Sequence, residues 1–170
     1  YLSTNGYIMF GSGMDDRSND YIPSSSTPNN IIAPYWDDLC VDYSSYNSGA
    51  IYYETRGTSP NQQLVLEFYE ISRWASSYLM TFELILNETG DIWFQYLDLS
   101  GMTGSSASVG IENSDGSYGC EYSCDSSNLY DGLAVRFSTL PVLIGPDQTV
   151  SLDPDSVDDY TVIVQNNRDY

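Results

Sequence analysis

Histidine and lysine are both missing from this sequence. Its five basic residues are all arginine and stand against 24 Asp and Glu, for a formal net charge of −19 over 170 residues. Without histidine, no Ser-His-Asp triad, Cys-His pair or His-based zinc site can be built from this chain alone. Without lysine, P-loop chemistry and Schiff bases are excluded as well. So acidic a surface repels phosphate backbones and anionic headgroups, which argues against nucleic-acid and membrane-surface partners. Nor is there an apolar run near the ~18 residues that a membrane-spanning helix needs, so no membrane insertion is expected. Cysteine is scarce too: Cys40, Cys120 and Cys124 are the only three. Cys120 and Cys124 are close enough in sequence to bridge across a tight loop, with Cys40 as the alternative partner. The odd count leaves one thiol free or paired with another chain. A disulfide would suit an oxidising exterior. The sequence opens on Tyr1 rather than Met and stops in mid-pattern at Asp169-Tyr170, as expected of a processed or incomplete piece of a longer product.

What is present is apolar and aromatic: 41% hydrophobic residues and 14% aromatic, including 16 tyrosines. This is too much apolar material for a disordered chain. One domain of this length buries roughly 70% of its unfolded surface and needs no staples. Period-two alternation dominates. Gln63–Ser72 sets Leu64, Leu66 and Phe68 against Val65, Glu67 and Tyr69. Tyr78–Asn87 alternates likewise. Ile92–Leu97 sets Ile92, Phe94 and Tyr96 against Trp93, Gln95 and Leu97. The turn chemistry of Glu88-Thr89-Gly90-Asp91 joins the last two segments into a hairpin. Further strands are expected over Tyr1–Phe10 (kinked at Asn5-Gly6), Ile31–Trp36, Ala50–Thr55, Ser106–Glu112, Tyr118–Tyr122 and Gly132–Phe137. No segment has a sustained helical repeat. Short strands divided by Gly, Pro, Asn and Asp indicate an all-β antiparallel sandwich of jelly-roll or Ig-like type. Residues 1–139 form this domain. Residues 140–170 form a strand-forming extension, with strand-like pieces at Thr149–Leu152 and Tyr160–Val164. It completes the sandwich, starts an Ig-like module, or serves as a donor strand for another subunit.

Several motifs, taken in order, carry a resemblance. Ile32-Ala33-Pro34-Tyr35-Trp36-Asp37-Asp38-Leu39 is followed by Gly49-Ala50-Ile51-Tyr52-Tyr53-Glu54-Thr55 and Leu64-Val65-Leu66-Glu67-Phe68. Then come Thr81-Phe82-Glu83-Leu84-Ile85-Leu86, Gly90-Asp91-Ile92-Trp93-Phe94-Gln95-Tyr96 and Ala107-Ser108-Val109-Gly110-Ile111-Glu112-Asn113. Asp131-Gly132-Leu133-Ala134-Val135-Arg136-Phe137 closes the set. Over about residues 2–137 the chain resembles nidogen-like (NIDO-like) extracellular domains, as found in large secreted and surface proteins of bacteria and archaea. The resemblance implies an extracellular β-rich module of adhesive and matrix-type proteins, and it offers no catalytic residues.

Candidate sites are few. Asp37 and Asp38, with Asp42 as a third oxygen donor, can be read as a calcium site at a strand end. The competing reading is that Asp37 accepts backbone N–H bonds in the turn. Asp153, Asp155, Asp158 and Asp159 lack the EF-hand spacing and read as turn carboxylates. Asn87-Glu88-Thr89 is a glycosylation sequon at Asn87. Tyr43, Tyr46, Tyr52, Tyr53, Tyr118, Tyr122 and Tyr130 could form a sugar platform or pack sheets and subunits. Glu67 and Glu83 stand in adjacent strands, where a solvated face explains them better than a hydrolase pair.

The expectation is a non-catalytic structural or adhesion module, secreted or at the cell surface. It would be a subunit of a filament or surface layer assembled through strand–strand contacts. The alternative is a carbohydrate- or protein-binding module of a larger adhesin or secreted hydrolase. Expected partners are further copies, neighbouring Ig-like domains or glycans. No cofactor is expected, calcium being the one ion considered.

Overall fold

The computed structural model describes residues 1–42, 49–138 and 161–165. In chain order the strands are β1 (Leu2–Ser3), β2 (Tyr7–Met9), β3 (Ile31–Trp36), β4 (Leu39–Cys40), β5 (Ala50–Arg56) and β6 (Gln63–Arg73). They continue with β7 (Leu79–Asn87), β8 (Ile92–Asp98), β9 (Ser108–Glu112), β10 (Gly119–Cys124), β11 (Ala134–Ser138) and β12 (Thr161–Gln165). There is no helix among the described residues. The first sheet runs β1-β2-β3-β9-β10. The second runs β12-β11-β8-β7-β6-β4, with β5 also pairing to β6. Every pairing is antiparallel. The two sheets pack as a β-sandwich, as the alternation implies.

The alternation also decides what lies between the sheets. Leu66, Phe68, Phe82, Leu84, Phe94, Tyr96, Val135 and Phe137 project from the second sheet. Ile8, Ile32, Tyr35 and Val109 meet them from the first. Phe68 stacks on Phe82 at 4.6 Å between ring centres, and Phe82 stacks on Tyr35 of the facing sheet at 5.7 Å. Each such side chain contributes about 1.5–3 kcal/mol of transfer free energy when fully buried. One polar link crosses this core: the Tyr96 hydroxyl donates to the Pro34 carbonyl at 2.6 Å.

Pro34 occupies an interior strand, where a residue without an N–H is costly. The β3–β9 register shifts between Ala33 and Trp36, and this irregularity accommodates it. A second cluster (Tyr7, Met9, Ile22, Ile31, Ala33 and Trp36) lies apart from the main core. The segment after β2 supplies its cover. The Ile22 N–H donates to Glu121 and the Ser24 N–H to Glu112, while the Trp36 indole donates to the Asp16 carbonyl. The first sheet is therefore packed on both faces, which is why all of β3 is buried. The second sheet keeps an open outer face, where Leu97 is 74% exposed.

Strand bounds depart from the expected ones in places. Tyr1–Phe10 splits into β1 and β2 around a turn at Gly6 (φ 80°), where a Cβ would overlap the Tyr35 carbonyl. The short β4 carried no alternation to reveal it. The strand expected at Tyr118–Tyr122 runs instead over Gly119–Cys124. The piece expected at Tyr160–Val164 is β12, whereas Thr149–Leu152 lies outside the described residues.

Candidate functional site

Asp37 follows β3 directly and is 3% exposed, so its carboxylate needs partners. Ser106 donates to Oδ2 at 2.7 Å, and the Asp38 N–H donates to Oδ1 at 2.7 Å. The Arg73 Nε, at the end of β6, lies 3.0 Å from Oδ2, an ion pair whose angle falls short of a hydrogen bond. The end of β6, the β8–β9 connection and the turn after β3 thus meet at one carboxylate. Asn5 locks the same turn: its Oδ1 accepts from the Leu39 N–H and its carbonyl from the Asp37 N–H. Asp38 is half-buried and faces Arg17 at 3.9 Å. Asp42 is exposed. Among the described residues, no three Asp, Glu or Cys side chains gather as a metal ion would require. A calcium ion at Asp37 would compete with the Arg73 guanidinium for the same oxygen. Beside this cluster, burial pushes the Tyr35 hydroxyl well above its ordinary range, with Asp37 adding to the shift. Around it opens a polar cleft of about 720 Å³, lined among others by Arg17, Asp38, Trp74, Ser105 and Asp125.

The cysteines do not form the expected bridge. All three are free thiols. Cys120 and Cys124 mark one strand, pairing with Ile111 and Ser108 respectively. At about 3.3 Å per residue they are roughly 13 Å apart, well beyond the span of a disulfide. The tight loop that the reading of Cys120–Cys124 required is instead extended backbone. Cys40 sits in the other sheet, its thiol 3.4 Å from the Ser72 hydroxyl. The Asn87 side chain is tied into the β7–β8 turn, donating to the Asp91 carbonyl at 3.0 Å and accepting from Gln63 at 2.7 Å.

The tyrosines are dispersed. Tyr52 and Tyr53 lie on β5 of the second sheet, Tyr118 and Tyr122 at β10 of the first, and Tyr130 beyond it. Tyr43, Tyr46 and the four aspartates from Asp153 to Asp159 fall outside the described residues. Glu67 and Glu83 are register partners across β6 and β7 on the open face of the second sheet. Burial, and then the charge of Glu67, pushes the Glu83 carboxyl up.

The edge of the second sheet is the other notable feature. β12 pairs with β11 through the register Ala134↔Gln165 to Ser138↔Thr161. Antiparallel neighbours need only two to five residues to connect them. Here the chain passes through all of residues 139–160 before returning. Neither this extra strand nor the Asp37 cluster had a local signal that fixed its place. The cluster draws on residues 69 positions apart, and a strand-like tail does not reveal its acceptor edge.

A family model described as "NIDO related" matches residues 1–138. No curated protein and no solved structure matches the chain.

Proposed function

The chain belongs to the NIDO-related family, a family of extracellular modules, and from that premise we propose that it is a non-catalytic building module of a cell-surface filament or layer. Its copies join by exchanging β12. The observation that carries this reading is the β11–β12 pairing, formed by a strand that arrives across a long connection. With β12 withdrawn, β11 presents an unpaired row of N–H and C=O groups, the kind of edge that accepts a strand from another chain. Main-chain hydrogen bonds then supply the affinity. Head-to-tail repetition gives an open polymer where the rotation does not close.

Sedimentation velocity and electron microscopy of the full chain, compared with a version lacking residues 140–170, test the proposal. The full chain is expected to form concentration-dependent oligomers or filaments, and the truncated one to remain a folded monomer. If truncation compromises folding, Ile163→Pro is the second variant, since it disrupts β12 while leaving the sequence of residues 1–138 unchanged. Polymers formed equally well by the truncated chain or by I163P would overturn the reading, as would a full chain that stays monomeric at every concentration.

A further inference from the structure

We propose that the open face of the second sheet binds an uncharged polysaccharide chain lying across β5, β6, β7 and β8. This inference concerns the face of the sheet and does not depend on the β11 edge, so it stands apart from the assembly reading.

The two faces of the sandwich are treated differently. The outside of the first sheet is filled by Tyr7, Met9, Ile22 and Trp36. The outside of the second sheet holds a cleft of about 620 Å³ with Glu67, Glu83 and Gln95 across its floor and Ile85, Trp93 and Leu97 along it. A smaller hollow of about 310 Å³ shares Glu67 and Glu83 and continues over β5 to Tyr52 and Arg56. The cross-strand register aligns Tyr52, Glu67, Glu83 and Gln95 in one row. At about 4.8 Å between strands this row is roughly 14 Å long, the scale of a short oligosaccharide.

The chemistry of the row suits hydroxyl groups. Glu67 and Glu83 are directly opposed like charges, an arrangement that costs stability. Neither accepts a hydrogen bond or ion pair from a described residue, because Arg56 is committed to Glu54 at 2.8 Å. Carboxylates beside the apolar Ile85, Trp93 and Leu97 call for O–H donors. Gln95 brings a donor and an acceptor together, as a sugar diol requires. Trp93, under the Arg136 guanidinium at 5.4 Å, stands with Leu97 and Ile85 as apolar surface for the C–H faces of sugar rings. With a net charge of −19, the chain repels uronic or sulfated polymers. An ammonium-bearing polymer would be attracted by the same charge, so the glucosamine hexamer is the direct competitor; Gln95, Trp93 and Leu97 favour the neutral ring.

Titration calorimetry of the full chain with hexasaccharides of β-linked glucose, mannose and xylose tests this, with galacturonate and glucosamine hexamers as the charged comparisons. At least one neutral hexamer is expected to bind saturably, and more tightly than either charged one. Glu83→Gln and Leu97→Ala should each weaken it by about tenfold, the loss of one charge-assisted bond or one apolar contact. Tyr118→Ala, on the other sheet, should leave it unchanged. Both cleft positions are solvent-accessible, and the circular-dichroism spectrum of each variant verifies its fold. The proposal is overturned if none of the neutral hexamers binds. It is equally overturned if a charged hexamer binds better, or if binding is indifferent to both cleft substitutions.

Discussion

Replacing Asp37 with alanine is the sharpest test of what holds the loop end of the sandwich together. The substitution removes the acceptor of the Ser106 and Asp38 hydrogen bonds and the counter-charge of Arg73. Breaking a fully buried ion pair costs about 3–5 kcal/mol, and each hydrogen bond to a charged group is worth about 1.5–3 kcal/mol. The Arg73 side chain is 42% exposed and can be rehydrated, so the cost falls at the lower end, about 2–3 kcal/mol. With a urea slope of about 2 kcal/mol/M, the unfolding midpoint should drop by about 1–1.5 M with the slope unchanged. Tryptophan fluorescence and circular dichroism, recorded together, check that a single transition is being followed. Asp37→Asn keeps the shape and can still accept from Ser106, so its loss should be smaller. In a double-mutant cycle, Arg73→Ala should cost less in the D37A background than in the native one. A D37A midpoint within about 0.3 M of the native value would refute the structural role. Calcium that raised the midpoint of the native chain but not that of D37A would point to an ion on this carboxylate instead.

Two further outcomes follow from the electrostatics. Glu83 is pushed up by burial and by Glu67, so the folded state holds its proton more tightly than the unfolded one. The resulting penalty is absent below the ordinary value of 4.5 and grows as pH rises through the raised one. Glu83→Gln should therefore raise the urea midpoint at pH 7 and converge with the native chain below about pH 4; a gain equal at both pH values, or a loss at pH 7, would contradict it. For the thiols, alkylation of unreduced, denatured chain should add three labels, and mass spectrometry that found only one would restore the disulfide. In the folded chain Cys120 and Cys124 should react slowly, because burial pushes both thiols up.

The parts of the fold that were legible in the sequence are those whose pattern is local. β6, β7 and β8 announce their inward faces by strict alternation, and the β7–β8 turn carries Gly90 at φ 98°. The apolar run Ile31–Trp36 reads as a strand, but its burial on both sides depends on a cover that begins at Phe10 and had no periodicity of its own. Pairings between distant strands, such as Ile32 with Ile111, are fixed by the closing of the core, not by either segment alone. The Asp37 site was half legible. Its carboxylate was visible after a buried strand, and its backbone bond to Asp38 is the turn chemistry expected there. Arg73, at the end of β6, and Ser106, between β8 and β9, are brought together only by the closing of the sandwich. The cysteines misled because spacing cannot distinguish a loop from an extended strand. The Glu67–Glu83 adjacency was correctly placed by alternation, whereas the hollow over them depends on the second sheet being left uncovered.

If β12 is exchanged between copies, residues 139–160 act as the rope that decides between closure and linkage. Stretched out, that interval reaches at most roughly 75 Å. While it keeps the strand near its own sheet, the local supply is in the millimolar range. A neighbour can outbid the chain's own strand only where copies are crowded to similar density. Dilute chains would then remain closed, and polymer would grow only where molecules accumulate, so that the site of deposition, not a separate trigger, would decide when the material forms.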